Sequence, residues 1–138
     1  MIVLDTKVLS ETLRPAPADS VSRWMKEQPS TSLFTTTICE AEIFYGLALM
    51  PGGRRRARLE EAVAAIFEEE FAERILPFDR AAARAFAPIA ARRRRLGRPI
   101  SEFDAQIAAI AHSRGATLAT RNVEDFADCG IKVISPWG

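Results

Sequence analysis

The sequence predicts a three-layer α/β fold built on a mainly parallel central sheet of about 4–5 strands. Three observations carry this. Short apolar runs alternate with segments of helical period, the pattern of a sheet covered by helices on both faces. The opening run Ile2-Val3-Leu4 is apolar throughout, as a buried strand is. No internal repeat or low-complexity linker interrupts the pattern, so the 138 residues are read as one domain spanning 1–138, large enough for a single core.

The elements follow in order. After the strand Ile2–Leu4, Asp5-Thr6 opens a turn into a short helix that Pro15 and Pro17 stop. Asp19 to Glu27 is a helix with Val21, Trp24 and Met25 on one side, and Ser32 to Thr35 is a second strand. Thr36 or Thr37 caps the helix Ile38 to Met50, which Pro51-Gly52-Gly53 ends. Its apolar stripe is read as Ile38, Ala41, Tyr45 and Leu49. Arg54 to Arg74 is a long helical stretch with Leu59, Val63, Ile66 and Phe67 at helical spacing. Arg74 to Pro77 is a short strand, and Asp79 caps a helix that contains Pro88 and closes at Gly97. Ser101 to Arg114 is a helix ended by Gly115. Thr117 to Thr120 is a strand, Asn122 to Phe126 a short helix, and Lys132 to Ile134 the last strand.

Composition excludes several classes. A hydrophobic fraction of 48% and a charged fraction of 27% describe an ordinary globular chain. No apolar stretch is long enough to span a bilayer, and the N-terminus lacks the features of a signal peptide. Cys39 and Cys129 have no metal-ligand spacing and are expected to be reduced, in a cytoplasmic protein. His112 is the only histidine, which argues against a histidine triad or a typical zinc site. The net charge of +1 hides two basic blocks, Arg54-Arg55-Arg56 with Arg58, and Arg92 to Arg95 with Arg98. Such patches either bind phosphates or are solvated helix faces.

Three acids stand where apolar residues are expected. Asp5 ends the first strand, Glu42 falls on the stripe of its helix, and Asp104 leads the stripe Ile107, Ala108, Ala111. At separations of roughly 5 Å and an effective dielectric near 20, Coulomb's law gives about 3 kcal/mol of repulsion per pair, about 10 in all. That rivals the roughly 5–15 kcal/mol stability of a domain, so a convergent cluster needs a cation, and Mg²⁺ or Mn²⁺ suits oxygen donors. Each acid has a structural alternative. Asp5 can cap the following helix. Asp104 can close a capping box with Ser101, and Asp125 one with Asn122. With Thr37 as cap, Glu40 takes the capping-box position, which leaves Glu42 without such a task.

Five pieces occur in register: Ile2-Val3-Leu4-Asp5-Thr6; Ala41-Glu42 with Tyr45-Gly46; Ile75 to Asp79; Asp104 with Ile107-Ala108; and Leu118 to Asn122 with Asp125-Phe126. Together they resemble the PIN-domain ribonucleases, specifically the VapC-type toxins of type II toxin–antitoxin systems in the FitB-like branch. The resemblance covers essentially the whole chain and implies a PIN-like α/β/α fold and metal-activated-water cleavage of RNA, with tRNA or another structured RNA as target. Carried over by residue, it implies catalytic Asp5, Glu42 and Asp104, which with Asn122 would hold Mg²⁺ or Mn²⁺. Asn122 stands where the family often has an acid, and Asp125 is the nearby carboxylate that can substitute. Thr6 and Thr120 are similar to hydroxyls that orient the acids. Lys7 replaces the usual Asn and is expected to weaken metal affinity. Arg54, Arg55, Arg92, Arg93 and Arg121 are candidate RNA contacts, and Trp24, Phe44 and Tyr45 are expected in the core. The resemblance further implies a homodimer held by a VapB-type antitoxin, whose contacts would share the apolar faces of the helices flanking Gly52-Gly53. Two other readings stay open: a non-catalytic RNA- or antitoxin-binding protein in which Lys7 replaces the metal, and a receiver-like domain phosphorylated on Asp5.

Overall fold

The computed structural model describes residues 1–138. Five short strands, β1 (Ile2–Leu4), β2 (Leu33–Thr36), β3 (Ile75–Leu76), β4 (Thr117–Ala119) and β5 (Val133–Ile134), form one sheet in the order β3-β2-β1-β4-β5. Every pairing is parallel. Six helices flank it: α1 (Thr6–Thr12), α2 (Asp19–Glu27), α3 (Thr37–Ala48), α4 (Arg54–Ala65), α5 (Arg80–Arg95) and α6 (Glu102–Ser113). The predicted class and the order of elements therefore hold. No helix is long and apolar enough to cross a membrane.

The strand order matters for function. From β1 the chain builds β2 and β3 on one side, then returns to lay β4 and β5 on the other. In open parallel sheets, ligands bind outside the carboxyl ends of the strands where the order reverses. Here that point lies between β1 and β4. Leu4 pairs with Ala119, and the Asp5 amide donates to the Ala119 carbonyl at 2.9 Å. Asp5 and Thr120 thus leave the sheet side by side. Val3, Leu4, Leu118 and Ala119 are wholly buried, which is why both strands read as continuous apolar runs. Strands β3 and β5, at the two edges, have two residues each.

Three local expectations change. Thr36, not Thr37, caps α3, its hydroxyl accepting from the Cys39 amide at 3.0 Å. Glu40 is then one position too late to close a capping box. The buried face of α3 is Cys39, Ile43 and Leu47, whereas Tyr45 and Leu49 are 62% and 69% exposed. This helix is apolar nearly all round, so its period could not identify the inward face. Finally, α4 stops at Ala65 and runs into a wider π-helical turn over Ile66–Glu70, closed by the Phe71 amide donating to the Ile66 carbonyl at 3.0 Å. The wider turn offsets the angular drift of α-helical spacing, and Val63, Phe67 and Phe71 all stay buried.

Arg93 shows how a charged residue of a basic block can serve the interior. It is 5% exposed. Its Nε donates to the Arg98 carbonyl at 2.8 Å, and its Nη1 donates to the carbonyls of Asp125 and Ala127 at 2.6 and 3.1 Å. It thereby ties α5 to the 3₁₀ turn Val123–Phe126 that carries Asp125. Arg93→Met should leave those carbonyls without donors and cost about 3 kcal/mol in urea unfolding. Arg94→Met, on the exposed side of the same helix, should cost less than about 0.5 kcal/mol. Equal effects would contradict the role of the clamp.

Candidate active site

Asp5 follows β1 and precedes the first turn of α1. It is 5% exposed, and both carboxylate oxygens are held. Oδ1 accepts from the Thr6 amide at 2.8 Å, and Oδ2 accepts from the Thr120 hydroxyl at 2.7 Å. The Thr120 oxygen in turn accepts from the Asn122 amide at 3.2 Å. Asp5 therefore does cap α1, through the adjacent amide, and it is also anchored across the sheet by a residue 115 positions away. Glu42, half-buried in the middle of α3, accepts from the Thr6 hydroxyl at 2.9 Å through Oε1. Thr6 thus orients two carboxylates at once, one with its backbone and one with its side chain.

Asp104 lies in the first turn of α6. The Ser101 hydroxyl accepts from its backbone amide at 3.2 Å, but no reciprocal bond joins the Asp104 carboxylate to the Ser101 amide. Only half of the expected capping box forms, and the Asp104 carboxylate is left free. The Asn122–Asp125 cap is also absent as a side-chain cap: Asn122 makes no such bond, and the Asp125 amide donates to the Asn122 carbonyl instead, at 3.0 Å.

Asp5, Glu42, Asp104, Asn122 and Asp125 line a single cavity of about 440 Å³, together with Thr6, Lys7, Ser10, Ser101 and Phe126. The structure thus brings together every acid singled out in the sequence. Ser10 and Ser101 were not among the predicted residues. Ser10 stands one helical turn after Thr6, a spacing that places the two on the same face of α1. Lys7 is exposed at the cavity and makes no ion pair.

Burial raises the pKa of Asp5 above the ordinary carboxylate value, partly offset by the Thr120 and Thr6 hydrogen bonds and the Lys7 charge. Burial also raises Glu42, and the charges of Asp5 and Asp104 add to it. Asp104 is raised by burial and then by Asp5. Glu42 and Asp104 both sense Asp5 as a like charge, and the like charge that raises Asp5 is Asp125. No three His, Cys, Asp or Glu side chains draw together closely enough to hold one ion among them. The donor set nevertheless suits a hard divalent cation: Asp104 is free, Glu42 keeps Oε2, each Asp5 oxygen retains a lone pair, and Asn122 adds a neutral carbonyl.

The basic residues divide. Arg54 and Arg55 line a neighbouring cavity. Arg121 stacks over the Trp137 ring at 5.1 Å. Arg92 lies elsewhere, 3.8 Å from Asp128 and in a cavity with His112 and Cys129. Arg93, buried in its clamp, is not available to RNA, which corrects that expectation. Of the aromatic residues expected in the core, Trp24 packs against it, Phe44 sits at its margin 6.1 Å from the Phe67 ring centroid, and Tyr45 is outside.

A family model described as "PIN domain" matches residues 2–131. The chain is 41% identical to the "Plasmid stability protein StbB" of Pseudomonas syringae, over 99% of both chains. It is 37% identical to the "VapC ribonuclease Y4jK" of Sinorhizobium fredii, over 99% of this chain and 98% of that one. Among solved structures, FitAcB from Neisseria gonorrhoeae superposes with a TM-score of 0.92 at 36% identity, covering 99% of each chain.

The raised carboxyl pKa values have a thermodynamic sign. In the window above the ordinary carboxylate value the native state holds more protons than the unfolded chain. Stability therefore falls as pH rises through that window and then levels off. Asp104→Asn removes one charge without disturbing the Ser101 bond to its amide. It should raise the thermal midpoint by a few degrees at pH 7 in the absence of divalent ions, and the gain should vanish below about pH 4. Calorimetry at both pH values checks this; a gain of equal size at both would contradict it.

Proposed function

The chain belongs to the PIN-domain family, and from that premise we propose that it is the ribonuclease toxin of a VapBC-type toxin–antitoxin pair, acting with Mg²⁺ or Mn²⁺. One observation carries this reading: Asp5, Glu42 and Asp104, from three separate elements, face one cavity at the reversal point of the sheet. Similarity to a VapC ribonuclease and to the FitAcB structure supports RNA as substrate and a VapB-type antitoxin as partner.

The roles follow from what each side chain has left to offer. Asp5, fixed through both oxygens, is the rigid anchor. Asp104, with no competing bond, is the ligand best able to adjust, and Asn122 completes the set without adding charge. Asp5, Glu42, Asp104 and Asn122 are the residues that would hold a divalent ion, which would supply Lewis acidity toward a phosphate oxygen and lower the pKa of a bound water. Hydrolysis adds the water oxygen to phosphorus and breaks one bridging P–O bond. Oε2 of Glu42, which the Thr6 hydroxyl leaves unbonded and whose pKa burial raises, accepts the proton of the attacking water, and the leaving oxygen takes a proton from solvent. Asp125 lines the same cavity, and its charge acts on both Asp5 and Asp104.

Of the two helices flanking Gly52-Gly53, whose apolar faces were expected to share dimer and antitoxin contacts, α3 is the one that exposes large apolar residues. On α3, Tyr45 and Leu49 are turned outward. On α4, Val63 is buried and Leu59 packs against the core, so that helix presents arginines instead.

Asp5→Asn, Glu42→Gln and Asp104→Asn should each lower RNA cleavage by about 100-fold or more while leaving a folded chain. Retention of wild-type rates in Asp5→Asn and Asp104→Asn would sink the proposal. A second test concerns Lys7, whose ammonium occupies the cation's neighbourhood. Lys7→Asn should tighten Mn²⁺ binding about fivefold, roughly 1 kcal/mol, and raise the cleavage rate. Calorimetric silence toward millimolar Mn²⁺ in both proteins would instead mark a non-catalytic binding protein.

A further inference from the structure

Beside the acidic cavity lies a second, of about 640 Å³, lined by Ser10, Leu13, Arg14, Pro15, Arg54, Arg55, Arg58 and Leu59. Ser10 belongs to both. We propose that this arginine-lined cavity seats the phosphate backbone of the RNA strand next to the scissile bond, so that α1 forms the ridge along which the substrate runs. The proposal rests on the ribonuclease reading above and adds a binding subsite to it.

Three observations point this way. First, Thr6, Ser10 and Arg14 succeed one another at four-residue intervals along α1 and its C-terminal extension. Thr6 lies in the acidic cavity, Ser10 in both and Arg14 in the basic one. Second, the first turns of α4 sort their arginines. Arg56 is spent internally, on Glu60 at 2.5 Å and on the Met50 carbonyl at 3.2 Å. Arg54, Arg55 and Arg58 are exposed, make no ion pair and share one face with Leu59. Third, no acid lines this cavity; Glu11, which pairs with Arg14, lies outside the lining and is also held by the Ala18 amide at 2.9 Å. A concave wall of uncompensated guanidinium groups needs anions, and planar donors suit phosphate. A strand whose scissile phosphate reaches the acidic cavity finds these groups immediately alongside, since Ser10 lines both cavities.

Anisotropy titration of the full chain with a labelled single-stranded oligoribonucleotide of about 20 nucleotides, in EDTA and over a range of salt, tests this. The variant R54Q/R58Q should bind about 10-fold more weakly and flatten the log K against log salt slope by about 1. R54K/R58K should retain most of the slope. The control R80Q/R84Q, which removes two exposed arginines from a separate shallow cavity on α5, should leave affinity within about twofold. In cleavage assays R54Q/R58Q should raise KM with little change in kcat. Undiminished binding by R54Q/R58Q, or equal loss in the control, overturns the proposal. So does loss of antitoxin co-purification by R54Q/R58Q with RNA affinity intact, because the cavity would then belong to the protein partner. Binding in EDTA does not depend on the carboxylates, so a chain that binds the oligomer without cutting it sinks the nuclease reading alone.

Discussion

The hydrogen bond from the Thr120 hydroxyl to Asp5 is the constraint on which the site depends. It closes the gap between the carboxyl ends of β1 and β4 and fixes the one carboxylate that burial most disfavours. Without it, Asp5 would be a buried charge with a single amide for company. With it, the sheet register itself delivers the anchor, since pairing Leu4 with Ala119 brings Asp5 and Thr120 out of the sheet side by side. Thr6 extends the same logic outward: its position at the start of α1 lets it hold Asp5 by its amide and Glu42 by its hydroxyl.

Around that anchor the protein accepts an electrostatic conflict. Three carboxyls are pushed up, first by burial and then by like charges: Asp125 acts on Asp5, Asp5 and Asp104 act on Glu42, and Asp5 and Asp125 act on Asp104; Lys7 relieves the conflict only from the cavity margin. A sequence selected for stability alone would not assemble such a group. The neighbouring wall has the opposite sign, so the surface alternates between a pocket that attracts cations and one that attracts anions. A nucleic acid with its counterions supplies both.

Much of this was legible in the sequence, for local reasons. Strand β1 is apolar throughout because both its faces are covered. Asp79 and Ser101 announce their helices because capping is decided by one side chain and the next turn. What was misread depends on partners far away in the chain. The face of α3 could not be identified because its outer residues are as apolar as its inner ones. Asp104 and Asp125 each carried a capping alternative beside the functional reading because their spacing allows it, and the tertiary structure places both in the lining of one cavity. Arg93 sits in a run of identical residues. Nothing local separates the one that reaches three carbonyls from those left in solvent.

The two-residue edge strands have a consequence for solution behaviour. An exposed sheet edge templates the addition of further strands, and the hazard grows with its length. Here each border offers too few free amides and carbonyls to recruit a neighbour, so the open sides of the sheet are poor seeds for fibril growth. The sheet borders therefore resist strand-to-strand association between copies of the chain.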